Sequence, residues 1–178
     1  MAFKRLTHDG YGMFERNRVF PTSMEAQCKL DKTDFPNGAE VGQIVAVDKA
    51  KGVIKKTGDL KGILVNSERL YDQYHLGLKN YHVEPEGMAS VLFLEDGNTF
   101  TTNTVGYDDD EYTDEDSNLI TALKAAAETP VYGDIDADNA TIKLTATKGT
   151  SPFTVVKLTT MPDGQRAVKF IVTNANAL

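Results

Sequence analysis

The chain contains no tryptophan, and its only cysteine is Cys28. A single thiol cannot close an intramolecular bridge, so a disulfide scaffold is excluded and the fold must be held by burial and hydrogen bonding. Cys28 itself reads as a small, half-buried, inert residue. Histidine is scarce: His8, His75 and His82 are the only three, and none stands in the H-E-x-x-H or H-x-E spacing that imposes metal geometry. No apolar run approaches the ~20 residues needed to cross a bilayer. The opening stretch MAFKRLTHDGYGMFERNRVF lacks the uninterrupted apolar core of a secretory signal. These absences predict a protein without a membrane partner, made in a cytoplasm or assembled there into something larger.

Positive charge is also short. Nineteen Lys and Arg face 26 Asp and Glu, for a formal net charge of -7. Phosphate affinity comes from clustered cations releasing counterions, so a general nucleic-acid partner is not expected. The imbalance is local. Lys4, Arg5, Arg16 and Arg18 outnumber Asp9 and Glu15 over Met1 to Phe20, whereas Asp108 to Asp116 is almost wholly acidic. Such asymmetry can orient one molecule against another.

Catalytic signatures are missing as well. There is no G-x-S-x-G elbow and no Walker sequence, Gly10 and Gly12 lack a third glycine, and Cys28 has no recognisable histidine partner. Glu84 and Glu86 sit in a proline-glycine turn, not in a setting that tunes an acid against a base. Asp134, Asp136 and Asp138 have the D-x-D-x-D spacing of a calcium loop. However, Asn139 and Thr145 occupy the positions where that loop needs glycine and glutamate, so a polar turn between strands is expected. The chain therefore reads as non-enzymatic, with no cofactor and no resident metal.

What is present is strand signal. NGAEVGQIVAVDKAKGVIKKTGDLKGILVN, Asn37 to Asn66, breaks β-branched runs with glycine at near-regular intervals and predicts three strands, Val41–Val47, Gly52–Lys56 and Lys61–Asn66, in an antiparallel meander. Ser67 to Leu78 reads as an insertion or loop. Strands are expected again at Tyr81–Val83, Met88–Leu94 and Thr99–Val105, closing a barrel-like module near Gly106. Thr113 and Asp116 suggest a capping box. Leu119, Ile120, Leu123, Ala126 and Ala127 form an apolar stripe, predicting a helix from Asp114 to Glu128 stopped by Pro130. Further strands are expected at Thr141–Ala146, Phe153–Thr159 and Arg166–Thr173. The fold class is thus mainly β, a β-rich α+β chain in three parts: an extended N-terminal arm over 1–36, a β-barrel-like module over 37–107, and an acidic loop, one helix and a C-terminal β lobe over 108–178.

Residues 1–36 carry Phe3, Tyr11, Phe14, Phe20 and Phe35 between glycine and proline breaks. A disordered tail is usually poorer in aromatics, so the segment is expected to become ordered on a surface, either a neighbour's or that of its own domain.

The stretch GAEVGQIVAVDKAKGVIKKTGDLKGILVN, followed by PEGMASVLFLEDGNTFTTNTVGYD, resembles the small β modules of tailed-phage capsid decoration, or head-stabilising, proteins. The likeness spans about Asn37 to Asp108 and is compositional; the helix and C-terminal strands depart from the smallest members. It implies a virion structural protein that binds the outside of a phage capsid shell, with the major capsid protein as partner and a homotrimer as its own assembly. On this reading Phe3, Arg5, Tyr11, Phe14, Arg16, Arg18 and Phe20 form a capsid-contact arm, arginines meeting acidic shell surface and aromatics filling grooves. Deleting Met1 to Phe20 is then expected to abolish shell binding and leave the fold intact. The alternatives are another virion component, such as a tail, connector or fibre-associated β protein, or a carbohydrate-binding module.

Overall fold

The computed structural model describes residues 3–6, 11–19, 25–65 and 82–178. The chain is mainly β: a closed five-stranded barrel is joined to a larger eight-stranded sheet, with one short helix.

The barrel uses β3 (Glu25–Leu30), β4 (Ile44–Asp48), β5 (Val53–Lys55), β6 (Lys61–Val65) and β7 (Met88–Leu92), in the spatial order β3-β5-β4-β6-β7. Successive side chains of a strand point to opposite faces, and in β4 and β6 both faces are covered. Val45, Val47, Leu64, Ala89 and Val91 fill the barrel with Leu30 and Ile54. Ile44, Ile63, Val65 and Leu92 point outward and pack into the core of the larger sheet. That double burial is why IVAV and GILV read as unbroken apolar runs without polar alternation. The three central strands are not a meander: β6 pairs with β4, on the side away from β5.

The larger sheet contains β1 (Phe3–Arg5), β2 (Phe14–Arg18), β8 (Thr99–Thr102), β9 (Val105–Asp108), β10 (Tyr132–Asp136), β11 (Thr141–Thr145), β12 (Phe153–Thr160) and β13 (Arg166–Val172), in the order β1-β9-β11-β10-β12-β13-β8-β2. β8 and β9 are separated by only Asn103 and Thr104, yet they stand five places apart in that order. Five flat strand spacings would be about 24 Å, whereas three peptide units reach at most about 11 Å. The sheet must therefore roll up, with Thr99 to Asp108 as one bent strand bringing its two sides together. Inside the roll Phe100, Phe153 and Phe170 are fully buried, with ring centroids 5.5 to 6.0 Å apart. Gly133 in β10 makes room for them: a Cβ there would lie 2.7 Å from Ile142 Cγ2 and 3.1 Å from both Phe153 and Phe170.

The element boundaries correct several expectations. The barrel begins at Glu25, inside the predicted arm, and ends at Leu92; Thr99–Asp108 belongs to the larger sheet. Local pattern is the same for either sheet, and only long-range pairing with β13, β11 and the N-terminal strands assigns these residues. The predicted 114–128 helix is shorter. It opens as one π turn, Glu115–Leu119, continues as α1, Ile120–Lys124, and ends in turns at Ala125. Asp114 is its N-cap, accepting from the Asp116 backbone N–H and the Ser117 hydroxyl. Leu119, Ile120, Leu123 and Ala126 are buried as expected, but Ala127 is exposed. Ser67–Leu78 and Tyr81 lie outside the described residues, while Val83 makes a single bridge to Ala39. Tyr132–Asp136 is a strand that the sequence reading missed, because its aspartates resemble a turn.

Candidate interaction surface

The N-terminal segment is built into the larger sheet. β1 runs antiparallel to β9 (Phe3 opposite Asp108, Arg5 opposite Gly106), and β2 runs antiparallel to β8 (Phe14 opposite Thr102, Arg16 opposite Phe100). β1 and β2 thus lie along the two halves of the bent strand Thr99–Asp108 and supply both edges of the sheet.

Between β1 and β2 the segment is fastened by a buried polar cluster. Asn103, fully buried, accepts from the Met13 backbone N–H at 2.6 Å and donates to the Tyr11 carbonyl at 3.0 Å and to Gln165 Oε1 at 3.3 Å. The Thr102 hydroxyl donates to the Met13 carbonyl, and the Thr104 hydroxyl donates to the Val41 carbonyl, each at 2.7 Å. Gly12 passes so close to the barrel that a Cβ would sit 2.3 Å from the Val41 oxygen. Tyr11 and Met13 complete a small apolar cluster with Met161 and Ala167. These contacts stitch the N-terminal segment, the chain leading into β4 and the C-terminal strands at one seam.

Two further ties cross that seam. Arg5 forms a bidentate pair with Glu40, at 3.1 and 2.8 Å. The β10–β11 turn plugs one end of the barrel. Ala140 is fully buried in the barrel core and its carbonyl accepts from the Ile44 N–H at 2.8 Å, while the Asn139 and Asp138 carbonyls accept from Gln43 and Lys56, each at 3.3 Å. Asp134 and Asp136 lie in β10 and only Asp138 in the turn; Asp136 accepts from the Asn139 backbone and side chain. The D-x-D-x-D run thus shapes a hairpin that docks on the barrel.

The predicted contact residues fall into three groups. Tyr11 is buried and Phe14 packs on Phe100, with centroids 5.5 Å apart, so both rings are committed to this chain's own core. Arg5 is likewise held by Glu40. These three positions correct the picture of a loose adhesive arm, and with it the expectation that removing Met1 to Phe20 leaves the fold intact. Arg16 and Arg18 are exposed on β2, Arg16 pairing with Glu25 at 3.0 Å. Phe3 enters β1 through its backbone, and Phe20 lies outside the described residues. Both sheet edges are blunted against further strands: β1 has only three residues, and β2 is bulged between Arg16 and Arg18 and carries charge.

The acidic run is similarly engaged within the chain. Asp108 pairs with Lys143 at 3.1 Å, Asp109 with Lys4 at 2.7 Å, and Glu115 and Asp116 both with Arg166, at 3.0 and 2.8 Å. Glu111 accepts from the Thr145 hydroxyl and the Ala146 N–H. The hydrogen bond that Lys4 donates to Asp109 raises the Lys4 pKa, and the one that Lys143 donates to Asp108 raises that of Lys143. The Ser117 hydroxyl and the Asp116 N–H lower Asp114. Burial raises both Tyr107 and Tyr112. Among the described residues no group of three or more His, Cys, Asp or Glu side chains is placed to hold a metal ion, and no helix is long and apolar enough to cross a membrane. Their only exposed large apolar side chains are Met88 and Val156.

The fold and surface define a two-part mainly β protein whose N-terminal strands are structural. No protein-family model, curated protein or solved structure matches the chain.

Proposed function

We propose that the protein is a non-enzymatic virion component, a decoration protein that binds the outside of a capsid shell, takes the major capsid protein as its partner, and acts as a homotrimer. The observation that carries this reading is the seam. Barrel and sheet share one apolar core and are tied by Arg5–Glu40, the Asn103 cluster and the Ala140 plug, which suits a rigid body bridging neighbouring shell subunits. The contact residues that remain from the N-terminal set are Arg16 and Arg18, both exposed on β2. Single surface ion pairs contribute about 0.2–1 kcal/mol, so useful occupancy depends on several sites binding together in an oligomer.

The test is co-sedimentation of the native protein with empty expanded phage heads. Saturation at a fixed copy number supports the proposal, and absence of binding at any protein excess rejects it. Arg16→Glu with Arg18→Glu should weaken occupancy most at low salt while the urea-unfolding midpoint stays close to native. Electron microscopy locating bound copies only on tails would favour a different virion component. Sedimentation equilibrium of the free protein checks the trimer.

A further inference from the structure

We draw no further inference here: the strongest candidate, the cleft between β2 and the barrel strands lined by Phe14, Arg16, Glu25, Gln27, Val41 and Val65, carries nothing because Glu25 and Val65 adjoin residues outside the described part of the chain and nothing in the structure shows what covers it.

Discussion

Replacing Asn103 by alanine is expected to loosen the seam at a cost far above that of a typical polar substitution. The side chain is fully buried and makes three hydrogen bonds, of which the 2.6 Å bond from Met13 N–H and the 3.0 Å bond to the Tyr11 carbonyl both secure the N-terminal segment. Alanine leaves the Met13 N–H, itself buried, without an acceptor, and an orphaned buried donor costs about 1–3 kcal/mol. Loss of the bond to the Tyr11 carbonyl adds about 1 kcal/mol. The expected destabilisation is thus about 2–4 kcal/mol, a large share of the 5–15 kcal/mol typical of a folded domain. For a chain of this size that corresponds to a Tm lowered by roughly 4–16 °C. Urea unfolding followed by circular dichroism gives the difference directly, since an unchanged slope means stability alone has moved. Asn103→Asp is a useful companion: it keeps an acceptor for Met13 but loses the donor to Tyr11 and buries a carboxylate, so it should also destabilise. An Asn103→Ala loss below about 0.5 kcal/mol, the range of ordinary surface changes, would refute the seam as a stabilising element.

Four other outcomes follow from the same geometry. Removing Met1 to Phe20 deletes β1 and β2 and takes buried Leu6, Tyr11 and Met13 from the core; at about 1.5–3 kcal/mol each, the truncated chain is expected to be unfolded or aggregated, and a soluble product with a native-like unfolding transition would contradict this. Gly133→Val should cost at least the 1–3 kcal/mol usual for overpacking, because the added atoms meet Ile142, Phe153 and Phe170, and thermal unfolding measures it. Arg166→Ala should cost under about 1 kcal/mol despite two ion pairs, since its side chain is 44% exposed; a larger loss in urea would show the pairs to be cooperative. Hydrogen bonds from Ser117 and Asp116 lower the Asp114 pKa, so its contribution is present above the ordinary aspartate pKa of about 3.9 and is lost as pH falls through the lower folded value. Asp114→Asn should therefore flatten that acid limb of the stability–pH curve, and an unaltered limb would argue against the cap.

The sequence by itself determined the class and much of the local structure. Runs such as IVAV and GILV can only be strands buried on both faces or part of a buried helix, and their glycine-bounded shortness selects strands. The stripe Leu119, Ile120 and Leu123 and the strands of the C-terminal lobe were legible for the same reason, since period is a local property, whereas the cap falls on Asp114 and not on the expected Thr113. Of the proposed contact residues, sequence correctly required Tyr11 and Phe14 to cover a surface, but whose surface it was is not a local property. Only the tertiary structure decided that they cover this chain's own core, that Thr99 to Asp108 belongs to the rolled sheet and not to the barrel, and that the aspartates around Asp136 shape a plug. The clearest signal in hindsight is the polar run TTNT at Thr101 to Thr104: four hydrogen-bonding side chains beside an apolar strand, all buried, had to find partners inside the protein. Those partners come from residues some 60 to 90 positions away in the chain. Pairing at that separation is set by which backbone groups would otherwise be buried unsatisfied, a condition that exists only once the sheet has closed.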